Sequence, residues 1–329
     1  MNNPDLKNLL KIYEQKRLLA EKECEEKIEY LYKNNPKLSK IIDEINKTSI
    51  SLSKSILFNH TDNISFLQET LNKLKEEKNS ILNNLKIDSS FFEPKYECKK
   101  CNDTGYLVDN NNVMCTCLKQ KLIDLQYNKS NISNLEKENF EVFNDNLLSD
   151  VADEKRYNSN ISPRENINNI KEIALNFINN FDNPEEKNLL FTGNTGLGKT
   201  FISNCIANEI LKLGKTVLYQ TAPIMLDAIV DYRFGKTDSF IYNNILNADL
   251  LIIDDLGTEN LNNLKFSELF NVINTRILNQ NNHVTKTIIS TNLSLNNLFN
   301  TYDERIFSRL AGYYNICRFF GDDIRLSNR

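Results

Sequence analysis

Short apolar runs alternate with amphipathic stretches in the second half of the chain. Four runs have the length and composition of buried strands, and they lie at 188–191, 216–220, 249–253 and 286–291. Apolar positions recur at helical spacing at 166–181, at 200–213, from Pro223 onward and at 265–281. Continuous apolar strands between helices are typical of a parallel sheet that is covered on both faces. The pattern therefore predicts an α/β domain over residues 166–329.

The N-terminal part of the chain has a different pattern. Leu6, Leu9 and Tyr13 begin an apolar stripe at helical spacing, and Pro36 interrupts it before a second stripe resumes. Residues 1–90 are therefore predicted to be a helical region. Because the stripe is thin, these helices either pack on the rest of the chain or dock on a partner. Amphipathicity alone does not choose between the two.

Composition and charge exclude few classes of protein or partner. Of the 329 residues, 40% are hydrophobic and 26% are charged, which is ordinary for a globular protein. The formal net charge of −4 gives no electrostatic argument for a nucleic-acid or membrane partner. No apolar run approaches the roughly 18 residues of a membrane-spanning helix, and the charged N-terminus does not resemble a signal peptide. We therefore expect a cytoplasmic protein with no membrane partner, in which cysteines are thiols or metal ligands.

A glycine-rich segment follows the first predicted strand. The sequence GNTGLGKT at 193–200 fits G-x-x-x-x-G-K-[ST] at every fixed position, with a strand before it and a helix after it. Such a loop turns its amides toward phosphate oxygens, while its lysine contacts the β and γ phosphates and its threonine contacts Mg²⁺. We expect ATP to be bound by Gly193, Asn194, Thr195, Gly196, Leu197, Gly198, Lys199, Thr200 and Phe201.

Polar side chains end two other predicted strands. Asp254 and Asp255 follow an apolar run, and ligands in open α/β sheets bind at such carboxyl ends. We expect Asp254 and Thr200 to hold Mg²⁺, and Asp255 to orient the attacking water or accept its proton. Asn292 follows the last strand and is a candidate contact to the γ-phosphate or the water. Its alternative is an N-cap for the helix near Ser294.

Two arginines lie on one predicted helix face in DERIFSRLAG at 303–312. Arg305 and Arg309 are four residues apart, and arginine suits charge on a phosphoryl group in transit. If this face lies at a subunit boundary, one arginine completes the neighbour's site. The alternative, which spacing alone favours, is a surface ion pair with Asp303 or Glu304.

Four of the seven cysteines lie in a short span, at Cys98, Cys101, Cys115 and Cys117. Four sulfurs suit a closed, structural Zn²⁺ site, and Gly105 allows the chain to turn back. The alternative is a set of free thiols. This module occupies residues 91–125, and a connector at 126–165 leads to the α/β domain.

The motifs GNTGLGKT, LLIIDDLG, IISTN and ERIFSRL, in this order, resemble those of AAA+ ATPases of the bacterial helicase-loader type (DnaC/DnaI-like), whose core the IstB-like transposase-helper ATPases share. The resemblance covers about residues 130–329. It implies an AAA+ P-loop core without a C-terminal lid and a nucleotide between self-associating subunits. It also implies an arginine finger, which the motif match puts at Arg309 with Arg305 beside it.

The resemblance also implies a function. A helicase loader would bind a hexameric replicative helicase through residues 1–125 and load it onto single-stranded DNA. Tyr232, Arg233, Phe234 and Lys236 make 223–249 a candidate DNA-facing insertion, although an amphipathic helix on the core explains them equally well. Asp255 stands where many AAA+ proteins have glutamate, which suits slow, partner-stimulated hydrolysis. The alternatives are a transposition helper and an ATP-binding adaptor with little turnover.

Overall fold

The computed structural model describes residues 4–58, 63–107, 110–126, 137–237, 239–260, 262–279 and 284–327. It divides into two compact units, Met1–Cys115 and Thr116–Arg329. The boundaries expected near residues 90, 125 and 165 stay predictions, and residues 127–136 of the expected connector lie outside the described ranges. None of the helices in these ranges is long and apolar enough to cross a membrane.

The first unit is helical, as its apolar stripe predicts. Its helices are α1 (Pro4–Asn34), α2 (Pro36–Leu57) and α3 (Ile64–Asn84), followed by a 3-10 turn at Ser89–Phe92. Pro36 occupies the first turn of α2, where a missing amide hydrogen costs nothing. Helices α2 and α3 pack together, and Leu31, Leu38 and Leu82 form a small buried core. A short antiparallel pair, β1 (Tyr106–Leu107) and β2 (Asn110–Met114), completes the unit.

The second unit alternates helices and strands. In chain order its elements are α4 (Thr116–Gln126), 3-10 turns at Phe140–Val142 and Asp145–Leu147, α5 (Glu154–Tyr157), α6 (Pro163–Asn179), β3 (Asn188–Thr192), α7 (Lys199–Lys212), β4 (Val217–Thr221), α8 (Ala222–Arg233), α9 (Ser239–Asn247), β5 (Leu250–Leu256), α10 (Asn263–Leu278), β6 (Lys286–Thr291), α11 (Leu295–Thr301), α12 (Glu304–Tyr313), β7 (Tyr314–Arg318) and α13 (Ile324–Ser327). The predicted α/β class is confirmed.

The five strands of this unit form one parallel sheet in the order β4-β5-β6-β3-β7. Strand β6 lies between β3 and β5, so the ends of the three strands that carry the candidate motifs are neighbours. Strand β7 was not predicted. The described residues after α12 form this strand and a four-residue helix rather than a helical lid.

Both faces of the sheet are covered, which explains the continuous apolar strands. Leu251 and Ile253 of β5 pack with helices α8 to α12. Leu250 and Ile252 of the same strand pack on the opposite face with α6 and α7. Because alternate residues of a strand point to opposite faces, a strand that is buried on both must be apolar throughout.

Candidate nucleotide site

The P-loop connects β3 to α7 and lies at the carboxyl edge of the sheet. Its glycines have φ angles of 141° at Gly193, 73° at Gly196 and 91° at Gly198, a region that L side chains rarely adopt. A Cβ at Gly193 would lie 2.2 Å from the carbonyl oxygen of Phe319. The Ile324 amide donates to the Gly196 carbonyl at 2.9 Å. The segment 319–325 therefore lies against the loop, a contact that the sequence did not suggest.

Lys199 begins α7, and its side chain turns back over the loop. Only 6% of the residue is exposed. Its Nζ donates to the carbonyls of Gly193 and Asn194 at 2.6 and 2.7 Å and to Asn292 Oδ1 at 2.8 Å. Burial lowers the pKa of Lys199 to about 8, although the charges of Asp254 and Asp255 oppose this shift. The ammonium group thus already lies where a phosphate would replace carbonyl acceptors.

Asp254, near the end of β5, is held by hydroxyl groups from neighbouring elements. Its Oδ1 accepts hydrogen bonds from the Ser290 hydroxyl and, at 3.1 Å, from the Asp255 amide. Its Oδ2 accepts from the Tyr219 hydroxyl and, at 3.4 Å, from the Thr200 hydroxyl. The carboxylate is thereby fixed beside Thr200, and this pair of oxygen donors fits a hard cation such as Mg²⁺. Neither Tyr219 nor Ser290 was predicted to contact Asp254, since both contacts depend on which strands are neighbours in the sheet.

Asp255 has an unusual backbone conformation, with φ of 54°. Non-glycine residues adopt this region uncommonly, although aspartate tolerates it better than most, so the turn around Asp255 defines an unusual position for its side chain. Its side chain lines the cavity beside the P-loop. Burial, followed by the neighbouring charge of Asp254, raises the pKa of this carboxyl group above its ordinary value. Asp255 is therefore a stronger proton acceptor than an exposed aspartate.

Asn292 lies just beyond β6 and lines the same cavity. Its Oδ1 accepts from Lys199, while the cap of α11 is Ser294, whose hydroxyl accepts from the Asn297 amide at 3.2 Å. The alternative role of Asn292 as the helix cap is therefore filled by Ser294.

A cavity of about 670 Å³ opens beside the P-loop. This volume is typical of sites for small ligands. Its polar end contains Lys199, Thr200, Asp255, Asn292 and Arg325. Its other walls are mostly apolar and come from Val142, Phe143, Leu147, Leu148, Ile167, Phe201 and Ile324. The lining thus combines charged and polar groups with apolar side chains, which suits a nucleotide.

Arg325 is a site residue to which the sequence assigned no role. It lies in the short helix α13, and its charge acts on both Lys199 and Asp255. The segment that carries it reaches the P-loop because β7 returns the chain to the edge of the sheet beside β3. Arg325 could have been placed in this site only if strand β7 and its pairing with β3 had been predicted.

The two arginines of α12 differ in their partners. Arg305 forms an ion pair with Asp303 at 2.7 Å and lies over the Phe270 ring, so the surface-pair alternative describes it well. Arg309 stacks on Tyr313, and its buried Nε has no hydrogen-bond partner among the described residues. Neither arginine lines the cavity of its own chain.

The candidate DNA-facing residues are largely engaged within the fold. Arg233 donates to both carboxylate oxygens of Glu268, at 2.8 and 3.0 Å. Tyr232 stacks on Tyr242, and Lys236 pairs with Asp231. These contacts favour the alternative of an amphipathic helix on the core, and they leave Phe234 exposed.

The four cysteines of the predicted metal module are brought together. The sulfurs of Cys98, Cys101, Cys115 and Cys117 all lie within 4.8 Å of one another, and none forms a disulfide. The Sγ atoms of Cys98 and Cys115 are 3.9 Å apart. Tetrahedral zinc with bonds of about 2.3 Å places its sulfurs roughly 3.8 Å apart, so the cluster has the dimensions of a zinc site.

Parts of the chain are similar to known proteins. The family model of the IstB-like ATP binding protein matches residues 143–326. The replicative helicase loader DnaC of Escherichia coli K12 is 27% identical over 139 residues, which are 42% of this chain and 55% of DnaC. The chain thus spans about half the length of that relative. The chromosomal replication initiator protein DnaA of Campylobacter jejuni is 33% identical over 123 residues, 36% of this chain and 26% of DnaA.

Two solved structures resemble part of the chain. A crystal structure of the DnaC helicase loader has a TM-score of 0.45 at 21% identity and covers 57% of this chain and 99% of that chain. A crystal structure of DnaI has a TM-score of 0.42 at 21% identity and covers 58% of this chain and 100% of that chain. The family match extends over more than half of the sequence, and the chain therefore belongs to the IstB-like ATP-binding protein family.

Proposed function

We propose that the chain binds ATP in the 670 Å³ cavity and hydrolyses it. The observation that carries this proposal is the convergence of Lys199, Thr200, Asp255, Asn292 and Arg325 at one end of that cavity. Lys199 and Thr200 come from the P-loop, Asp255 and Asn292 from two strand ends and Arg325 from a short helix, and each has chemistry that a triphosphate requires.

Binding begins with an exchange of partners at Lys199. Its ammonium group leaves the carbonyls of Gly193 and Asn194 for the β and γ phosphates, and the loop amides contact the remaining oxygens. Thr200 and Asp254 would hold Mg²⁺, which neutralises charge on the phosphates when bound. The adenine base occupies the apolar end near Phe143 and Leu148.

Hydrolysis uses Asp255 to orient a water molecule toward the γ phosphorus. The new bond forms to the water oxygen, the bond to the β–γ bridging oxygen breaks, and Asp255 accepts the water proton. Its raised pKa favours proton acceptance, while its side chain is one methylene shorter than that of glutamate. We therefore expect slow turnover, with Asn292 and Arg325 in contact with the γ-phosphate.

Turnover depends on a second copy of the chain. Arg309 does not line its own cavity, and the residue as a whole is only partly buried, so its side chain can contact a neighbouring site. An arginine at the transferring phosphate stabilises charge in the transition state. The chain is therefore proposed to self-associate through the ATP site, with Arg309 as the finger.

The cysteine cluster is proposed to hold a structural Zn²⁺ ion. Four thiolates leave no open position for catalysis, and metal binding would stabilise the fold around them.

The cycle is proposed to load a hexameric replicative helicase onto single-stranded DNA. Similarity to the replicative helicase loader DnaC supports this role. The helical head adds a candidate docking surface, because Ile56, Leu57, Phe58 and Phe66 are exposed near the end of the α2–α3 hairpin. Such exposed apolar patches are typical of interaction sites. DNA contact is proposed for 223–249, where Phe234 offers an exposed ring.

The test combines the full-length chain with the replicative helicase of its own cell and circular single-stranded DNA. We expect the wild-type chain with MgATP to increase the amount of helicase retained on DNA. The paired substitution Phe58→Ser and Phe66→Ser should abolish association with the helicase, whereas Leu278→Ser, which changes an exposed leucine of α10, should not. Failure of the wild-type chain to bind helicase would contradict loading, and capture of a transposase instead would favour the transposition-helper alternative.

A further inference from the structure

A buried hydrogen bond joins the loop after β5 to the segment before α12. Glu259 is 8% exposed and Tyr302 is 1% exposed. One carboxylate oxygen of Glu259 accepts the Tyr302 hydroxyl, and the other accepts the Gly257 amide at 2.8 Å. Neither side chain lines the nucleotide cavity, so the proposed chemistry makes no direct use of either.

On one side, this contact closes the loop that follows Asp255. The amide and hydroxyl of Thr258 both donate to the Asp255 carbonyl, at 3.2 and 2.8 Å. Gly257 has φ of 102°, and a Cβ there would lie 2.6 Å from Leu293. The loop is therefore a tight turn with little freedom, and Glu259 fixes its far end. Glu259 and Asp255 are thus connected through this turn.

On the other side, the contact fixes the start of the helix that carries Arg309. Tyr302 immediately precedes Asp303, which caps α12 by accepting from the Ile306 amide at 3.1 Å. The Tyr302 ring belongs to the same buried core as Ile306 and Leu310. Burial and the bond to Glu259 raise the pKa of Tyr302, so its hydroxyl remains a donor.

We propose that Glu259 and Tyr302 are positioning residues that hold the Asp255 loop and the arginine helix α12 in one fixed relation. This inference rests on the proposed function. In an assembly of copies, Asp255 serves the chain's own ATP site while Arg309 serves the neighbour's. The Glu259–Tyr302 bond therefore links the state of one site to the arginine that the same chain supplies to the next site.

Three substitutions separate loss of the Glu259–Tyr302 hydrogen bond from loss of charge and from a change in core packing. Tyr302→Phe removes the hydroxyl and leaves a buried carboxylate oxygen without its donor. Glu259→Gln removes the charge and keeps a bond at each oxygen position: the amide oxygen can accept from Gly257, and its NH₂ can donate to the Tyr302 oxygen, so that only the Tyr302 hydroxyl proton loses its acceptor. Ile306→Val trims the same core next to Tyr302 without touching the bond.

The experiment measures steady-state ATP turnover at assembling concentrations and MgATP affinity for the full chain and these variants. Tyr302→Phe is expected to lower turnover by about fivefold or more while MgATP affinity stays within about twofold. Ile306→Val should stay close to wild type in both, and Glu259→Gln should lower turnover less than Tyr302→Phe does.

Subunit mixing shows which site is affected. In the first mixture, the double variant Arg309→Ala/Tyr302→Phe, which keeps its own Asp255, is combined with the single variant Asp255→Asn. In the second mixture, the double variant Asp255→Asn/Tyr302→Phe, which supplies Arg309, is combined with the single variant Arg309→Ala. The proposal expects turnover to fall in both mixtures.

Wild-type turnover in Tyr302→Phe would overturn the inference, as would an equal loss in Ile306→Val or a loss in only one mixture. If the wild-type chain does not hydrolyse ATP, the proposed function fails and this inference fails with it.

Discussion

At the scale of single residues, the proposed ATP site consists of groups that other side chains and backbone atoms hold in place. Lys199 is buried and satisfied by carbonyl oxygens and Asn292, and Asp254 is held by Tyr219 and Ser290. Fixed groups of this kind lose little freedom when a ligand binds, so more of the interaction energy is available for affinity. The cost is that Lys199 must exchange established hydrogen bonds for phosphate contacts.

This exchange predicts that ATP binding takes up protons in mildly alkaline solution. The pKa of Lys199 is about 8 in the free protein, so at about pH 8.5 the amine is largely neutral. Phosphate charge stabilises the ammonium form and raises this pKa, and the complex therefore binds the missing proton. Calorimetry in two buffers of different ionisation enthalpy should reveal the uptake. Lys199→Arg, which stays charged, should lose it, and an unchanged uptake in that variant would contradict the assignment.

At the scale of elements, apolar periodicity predicted the strands β3 to β6 because each is buried on both faces. Strand β7 was missed because Tyr314 follows α12 directly, with no glycine or proline between the two elements. The approach of 319–325 to the P-loop depends on where β7 pairs, and sequence spacing does not show such a contact. The same limit applies to Arg325, Tyr219 and Ser290, whose roles arise from neighbours distant in sequence.

The packing of 319–325 predicts unequal effects of two P-loop substitutions. Gly193→Ala places a Cβ 2.2 Å from the Phe319 carbonyl oxygen, a backbone atom that cannot move alone. Gly198→Ala meets open space and carries only the backbone strain of a positive φ, about 1–3 kcal/mol. Thermal unfolding should therefore show a larger loss of stability for Gly193→Ala. Equal losses would argue against a close contact between 319–325 and the loop.

The cysteine module predicts metal-dependent stability of the region around 91–117. Purified protein should contain about one zinc ion per chain, measured by mass spectrometry of the metal. Cys98→Ser should lose the ion and lower the unfolding temperature, because structural zinc contributes to folding free energy. Cys24→Ser, which alters a buried cysteine of α1 outside the cluster, is the matched control. Retention of zinc by Cys98→Ser would contradict the site.

At the scale of the whole molecule, the chain combines a helical unit with an α/β unit of the IstB-like family. The motifs predicted the second unit well because phosphate binding restricts which residues can follow each strand. The helical unit was predicted only as helices, since its apolar stripe does not reveal what covers it. Side chains such as Phe58 and Phe66 remain exposed in the structure, and a partner is the proposed explanation.

A shared active site predicts complementation between two inactive chains. Asp255→Asn lacks the proposed base but still offers Arg309, and Arg309→Ala lacks the finger but keeps its own Asp255. Each variant alone should hydrolyse little ATP, whereas a mixture should recover a substantial fraction of wild-type turnover. Arg305→Ala serves as a control because Arg305 is paired with Asp303 within its chain. A mixture no more active than its components would contradict a finger supplied in trans.

Calorimetric titration of the full chain with MgATP decides whether this cavity is an ATP site. We expect saturable binding of about one ATP per chain. We also expect a loss of affinity of roughly 30-fold or more in Lys199→Ala, since truncating one partner of a buried charged contact costs about 2 kcal/mol or more. No binding by the wild-type chain, or equal affinity in Lys199→Ala, would contradict an ATP site in this cavity.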